Sequence, residues 1–281
     1  MPAIIRCALA PSGQGERELE RDSVEKKAEK SWAKLVESAQ RLDALGKAEN
    51  AAPEQVPYPR LPSATQAPVA RKWKSLLWSV ECAEQHGEDG LRGLAIALSK
   101  MLVADALQAL VLEAKEHSAC GLDTDALLWD RNVILNVNGD TLTTLMLPKK
   151  RRVKVDMNDA IVLPATWERW RFFGALAKIG EGRPWGAWKH DKSNHFAQAW
   201  LPWPIVWVKN GNHSAMAGLV RGGGVLTCEE AFDFSPVFGA VTTDGRRWYR
   251  ADTQKSFANV RSLPMAGIFV VGQRLAALKR D

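Results

Sequence analysis

Apolar residues recur at helical spacing through the first half of the chain and give way to short β-like runs after Asp130. Within the charged segment Glu16 to Lys47, Trp32, Leu35, Val36, Ala39 and Leu42 form one narrow stripe, which predicts a helix that turns a single face to a partner surface. The adjoining stretch, AAPEQVPYPRLPSATQAP, carries five prolines and cannot continue that helix. These features predict a charged helix over 1–51 and a proline-rich linker over 52–68. Two more helices are expected from Val69 to about His117. The second, LAIALSKMLVADALQALVL from Leu94, is interrupted by Lys100 and Asp105, which favours a core helix over a membrane span. This defines a helical region over 69–120 and a second domain over 121–281.

Beyond Asp130 the periodicity shortens. NVILNVNGDTLTTLML places two β-rich runs about Asn138-Gly139, and VFGAVTTDGRRWYR does the same about Asp244-Gly245, so each predicts a hairpin. Between them ATWERWRFFGALAKI puts Trp167, Trp170, Phe173, Gly174 and Ala177 on one helical face, expected to be the core face, with Gly180 ending the helix. MAGIFVVGQRLAALKR closes the chain as a helix, or as a strand followed by a helix. No repeat is visible, and the class is α+β.

Charge changes this picture in one place. The chain carries net +6, yet eleven cations against five anions lie between Leu147 and Lys192, a surplus equal to that of the whole chain. Lys149, Lys150, Arg151 and Arg152 form its densest run and are candidate nucleic-acid contacts, the alternative being a solvated basic strand. Seven of the twelve tryptophans fall between Trp167 and Trp207. Trp167 and Trp170 are assigned to the core, whereas Trp185 and Trp188, among Gly182, Pro184 and Gly186, are the candidates for stacking on bases. Four cysteines without paired spacing argue against a zinc knuckle or a disulfide framework and fit a reducing cytosol. MPAIIRCALA does not have the order of a secretory signal.

The sharpest local pattern is PIVWVKNGNHSAMAGLVRGGGVL. Its first residues suit a buried strand, Asn210-Gly211 a tight turn, and SAMAGLVR a short helix stopped by Gly222, Gly223 and Gly224. Free N–H groups at such a helix start favour an anion. Gly211, Asn212 and His213 are therefore candidates to hold phosphate, with Ser214 supporting the helix start and Lys209 and Arg221 balancing charge; His213, Asn212 and Ser214 are the candidate catalytic groups. The competing possibility is that His213 only satisfies backbone groups at a turn. In HDKSNH, His190, Asp191 and His195 are candidate ligands for a divalent metal such as Mg, against the alternative of ordinary polar loop residues.

Strand, Gly-x-His, short helix, glycine and strand resembles the nucleotide-binding signature of the ParB/sulfiredoxin superfamily. The tetrad here is Gly211-Asn212-His213-Ser214, where sulfiredoxins have Gly-Cys-His-Arg, so the catalytic cysteine of peroxiredoxin repair is absent. Within that superfamily WPIVWVKNGNHSAMAGLVRGGG, from Trp203 to Gly224, is most similar to the plasmid fertility-inhibition proteins of the Osa and FiwA type. The resemblance implies a ParB/sulfiredoxin-like mixed-sheet domain in a cytoplasmic, plasmid-encoded inhibitor of conjugative DNA transfer through a type IV secretion system. It further implies ATPase or DNase activity with ATP as nucleotide, and as partners the single-stranded DNA transfer intermediate or the secretion coupling protein, the latter drawing it to the inner membrane. A non-enzymatic protein that blocks the coupling protein and a ParB-like DNA-binding regulator are the alternatives; no helix-turn-helix comes after the motif.

Overall fold

The carboxyl-terminal half of the chain is built on a mixed five-stranded sheet whose strands arrive out of chain order. In the computed structural model the described residues are 68–112, 122–203 and 205–278. The expected helix around Trp32 and nearly all of the proline-rich stretch lie outside them. Gln66–Asp281 forms one compact unit, so the helical region and the mixed-sheet part are not separate bodies.

Two helices come first, α1 (Val69–Glu84) and α2 (Gly87–Leu112), with Gly87 at φ +67 in the bend between them. Two single turns come next, α3 (Thr124–Leu127) and α4 (Leu142–Leu145). The first strands are β1 (Leu147–Lys149), β2 (Val153–Asp156) and β3 (Ile161–Pro164). Helix α5 (Arg169–Lys178) leads to β4 (Phe196–Leu201), β5 (Ile205–Asn210) and α6 (Asn212–Val220). The chain continues through β6 (Val225–Cys228), β7 (Glu230–Asp233), α7 (Ser235–Ala240), β8 (Val241–Thr243), β9 (Arg247–Arg250), β10 (Ser256–Asn259) and α8 (Leu263–Leu278). The class is α+β, as the periodicities predict.

The main sheet has the order β1-β7-β4-β5-β3; β2 pairs with β6, and β10, β9 and β8 form a third sheet. Strand direction decides which loops share an end of the main sheet. β3 runs parallel to β5, β4 runs antiparallel to β5, and β4 and β7 run parallel, with Leu201 opposite Asp233. The carboxyl ends of β3 and β5 therefore emerge at one end of the sheet, and those of β4 and β7 at the other.

Burial explains the framework. α2 lays Leu91, Ala95, Leu98, Leu102, Ala106 and Leu110 along one stripe against the core, and it packs on α8, which also touches α1 and α7. α2 has the length and mean hydropathy of a membrane span, and one stripe of it is buried against the rest of the fold. The centre is aromatic: Trp203 and Phe238 meet edge to face at 4.8 Å, Trp129 and Trp248 likewise at 4.8 Å, and Phe269 joins both pairs. Trp203 Nε1 donates to Ile268 O at 2.9 Å, so its polar atom is satisfied inside that cluster. α8 is a single helix, which decides between the two alternatives for the last element.

Three expectations change. The Asn138-Gly139 stretch is no hairpin: Asn136 Oδ1 accepts from the N–H groups of Asn138 and Asp140, an Asx-type turn that leads into α4. Thr141 then caps that single turn reciprocally with Thr144. The Asp244-Gly245 hairpin does form, joining β8 to β9 with Gly245 at φ +80. The third change concerns α5, which buries Phe172 and Ala175 and leaves Trp170 72% exposed. Phe172, Ala175, Leu176 and Ile179 repeat with the same spacing as the expected face, and that second face is the one α5 turns inward.

Candidate functional site

The strand-turn-helix around Gly211 exists as expected: β5 ends at Asn210, Gly211 sits in the left-handed region at φ +77, and α6 starts at Asn212. Gly211 is obligatory twice over. Its backbone conformation disfavours a side chain, and a Cβ there would overlap His195 Cδ2.

What the polar side chains of the turn do is internal. Asn212 Oδ1 accepts from Ala165 N at 2.9 Å, and His213 Nε2 accepts from Glu168 N at 3.0 Å. Both residues are buried, and together they hold the segment between β3 and α5 against the start of α6. Trp167 lies edge-on to the His213 ring at 4.7 Å. Burial holds the His213 pKa below the usual histidine range, the Arg171 charge lowers it further, and Glu168 opposes this. Neutral His213 is the form that accepts an N–H.

Ser214 belongs to a second internal cluster. Its Oγ lies 3.0 Å from His195 Nε2 and accepts from Trp188 Nε1 at 3.2 Å. A serine beside a histidine suggests a nucleophile and its base, but the other ring nitrogen decides otherwise. His195 Nδ1 accepts from the Asp191 N–H at 2.8 Å, so Nδ1 is unprotonated and the ring proton of neutral His195 sits on Nε2. That Nε2 is a donor to Ser214 and has no lone pair to take the hydroxyl proton, the reverse of what base catalysis needs. Burial, then the nearby His190, lowers the His195 pKa, while Asp191 and Glu229 oppose it, and this keeps the ring neutral.

The three metal candidates are neighbours in chain and space but do not converge. The Asp191 carboxylate is turned to the Ser193 N–H and hydroxyl, at 2.9 and 2.7 Å, and both His195 nitrogens are engaged. His190 aims Nε2 at Glu229 Oε1 across 3.6 Å. Among the described residues no group of three or more His, Cys, Asp or Glu is placed to hold a metal ion.

The two flanking cations are placed differently. Arg221 stands at the far end of α6, about 13 Å along the axis from its start, and Nη2 donates to Leu176 O at 3.3 Å. Lys209, the next-to-last residue of β5, has its pKa lowered by burial and then by the Arg131 charge, while Asp123, Asp125 and Glu230 oppose this. Arg221 is thus too far along α6 to balance an anion at its start.

Of the stacking candidates, Trp188 is buried. Its indole fills the space that side chains at Gly218 and Gly224 would need, within 2.7 Å of either Cβ, so it is a packing residue of α6. Trp185 is 58% exposed, with Lys178 Nζ over its ring at 4.9 Å. Trp170, expected in the core, joins it at the surface with the Arg171 guanidinium 5.7 Å from its centroid, and Phe173 is exposed on the same helix. The sequence clue that was available for Trp170 is the competing apolar set beginning at Phe172, which claims the inward face.

Lys149, Lys150, Arg151 and Arg152 are all exposed. They span the end of edge strand β1 and the link to β2. Lys149 and Arg151 border a cavity of about 410 Å³ at the carboxyl ends of β4 and β7, together with Arg92 of α2, Asp233 and Ser235. Asp233 had no sequence signal because only the sheet order brings it to β1, and Arg92 had none because it comes from helix α2, distant in sequence.

No curated protein and no solved structure matches the chain. A family match spans residues 73–280, from within α1 to beyond the last described residue of α8. The chain belongs to DUF6710, a family of unknown function.

Proposed function

We propose that this protein binds single-stranded nucleic acid along the exposed face of α5 and the loop after it, and that it does so as a plasmid-encoded, cytoplasmic inhibitor of conjugative DNA transfer. The observation that carries the binding is the pair Trp170 and Trp185, each exposed and each with a cation over one ring face. An indole held in this way presents its other face for a base; Lys178 beside Trp185 meets the phosphate, whereas Arg171, paired with Glu168 at 2.6 Å, holds the Trp170 ring in place. Trp170 and Lys178, the cation over Trp185, lie about 12 Å apart along the α5 axis, a span that a few nucleotides of one strand can cover. Duplex DNA, whose bases already stack on one another, offers them nothing comparable. Lys149 to Arg152 add an electrostatic field that favours a polyanion.

The conjugation context rests on the resemblance of Trp203 to Gly224 to the Osa and FiwA proteins, and with it a ParB/sulfiredoxin-type identity for the mixed sheet. Strand binding without hydrolysis is the form of inhibition these side chains favour, since Ser214 faces a histidine that donates to it. On this view ATP is not a partner of the Gly211 turn, and the protein shields the transfer strand from the secretion machinery.

Fluorescence anisotropy with labelled oligothymidylate and a matched duplex tests the binding. Wild type should prefer the single strand, and Trp170→Ala with Trp185→Ala should weaken it by about 1–3 kcal/mol per lost stack. Equal affinity of the double variant would overturn strand binding by this face; mating frequencies of the same variant would then show whether inhibition depends on the face at all.

A further inference from the structure

The cavity at the carboxyl ends of β4 and β7 is not explained by strand binding on α5. In open α/β sheets ligands sit beyond the carboxyl ends of parallel strands, where side chains from several loops converge, and the parallel pair β4 and β7 forms one such end here. Here Leu201 and Asp233 are paired at those ends, and Arg92, Lys149 and Arg151 reach the same space from α2, β1 and the turn after β1. At about 410 Å³ the cavity falls in the range of small-molecule sites and is much larger than a lone phosphate needs.

Its charges are arranged unequally. Arg92 is held by Glu88, which accepts from Nε at 2.8 Å and Nη2 at 2.6 Å. Lys149 Nζ lies 2.9 Å from Asp233 Oδ2, and the other oxygen of Asp233 accepts from Ser235 N at 2.9 Å. These two cations are thus fixed in place and locally neutralised. The Arg151 guanidinium forms no ion pair with a described residue. One uncompensated cation beside two oriented ones suits a singly charged oxyanion, while Leu201 and Pro202 supply an apolar wall for an uncharged group attached to it.

We propose that this cavity binds a phosphodiester carrying a nucleoside-sized group, with Arg151 as its main anion contact and Arg92 and Lys149 orienting the remaining oxygens. Two sources share that chemistry: a cyclic mononucleotide, and one internal linkage of a nucleic-acid strand. The second source rests on the strand-binding function proposed above, and the first does not.

Isothermal titration of the full chain at low salt with cyclic AMP, cyclic GMP and the dinucleoside monophosphate dTpdT tests the site. At least one ligand should bind with one-to-one stoichiometry, and Arg151→Gln should weaken it about tenfold, the usual value of a charge-assisted contact. Lys255→Gln, an exposed cation remote from the cavity in sequence, controls for net charge and should change affinity less than twofold. Cyclic nucleotides bound in preference to dTpdT identify a free ligand; dTpdT bound in preference identifies a strand linkage. Absence of binding by all three at millimolar concentration, or equal losses from Arg151→Gln and Lys255→Gln, overturns the proposal. Oligothymidylate run in parallel separates the two proposals. If it binds and the small ligands do not, the cavity proposal falls and strand binding stands; if the small ligands bind and it does not, the reverse holds.

Discussion

The two ends of the main sheet use polar residues in opposite ways. At the end where β3 and β5 finish, Asn212, His213, Ser214 and His195 spend their polar side-chain atoms on Ala165, Glu168, Asp191 and one another. At the end where β4 and β7 finish, Arg92, Lys149 and Arg151 surround open space. The first end holds the motif that sequence singles out, and the second holds residues marked only by charge. A histidine between a strand and a helix start is thus a poor guide to ligand binding until the partner of each ring nitrogen is known. Here the Nε2 partner is backbone, which makes His213 a clamp on the β3–α5 segment.

This contrast predicts that the closed end governs stability. Gly211→Ala combines a left-handed backbone with a Cβ inside the His195 ring, and should destabilise the protein by roughly 3 kcal/mol through conformational strain and overpacking. Urea denaturation monitored by tryptophan fluorescence measures it. A loss under 1 kcal/mol would mean that the turn relaxes freely and the closed end is not tightly built. His213→Ala removes the acceptor of a part-buried N–H and should cost about 1–3 kcal/mol while leaving oligothymidylate affinity within twofold. Unchanged stability with lost affinity would reverse the assignment and return His213 to the phosphate.

Acid should act on the same end. Both His195 and His213 have pKa values lowered in the folded protein, chiefly by burial, against an unfolded value near 6.5. As pH falls below that value the unfolded chain takes up protons that the folded chain refuses, so stability is full above about pH 6.5 and declines as pH approaches the folded values. The groups around them are named in the fold: His190, Asp191 and Glu229 for His195, Arg171 and Glu168 for His213. His195→Gln preserves a donor toward Ser214 and an acceptor for the Asp191 N–H, and its melting temperature should fall less between pH 7.5 and 5.5 than that of wild type. Parallel curves for the two proteins would show that His195 is not a source of the acid sensitivity.

How much of this was legible depends on whether the determining contacts are local. Helices α1 and α2, the Asp244-Gly245 hairpin and the β5-Gly211-α6 unit arise from spacing and turn chemistry within about fifteen residues, and all are present. The Asn138-Gly139 hairpin failed because Asn136 competes for the backbone N–H groups that a ladder would use. α5 carries two apolar sets at the same period, so only its neighbours decide which face is inside; Phe172 won and Trp170 was turned outward. Trp188 was flanked by glycines and prolines like a mobile loop residue, yet it lies under Gly218 and Gly224, which are distant in sequence. The cavity was the least legible feature. Lys149 and Asp233 are brought together by the β1–β7 pairing, a contact with no local signature.

The smallest expected effect lies at the open end and sharpens the contrast most. Lys149→Gln and Arg151→Gln replace exposed cations, one in a surface ion pair and one with no described ion-pair partner, so each should change stability by no more than about 0.5 kcal/mol. Their effect should appear in binding instead. For a single strand, the logarithm of affinity should fall with that of salt concentration by about 0.7 per phosphate contacted, so a variant that loses one contact should have a slope shallower by about that amount. Anisotropy titrations of oligothymidylate across a salt series give this slope directly, and denaturation of the same samples gives stability. Destabilisation comparable to that of His213→Ala would mean that the cations hold the β1 edge in place, and the two ends of the sheet would then differ in exposure but not in role.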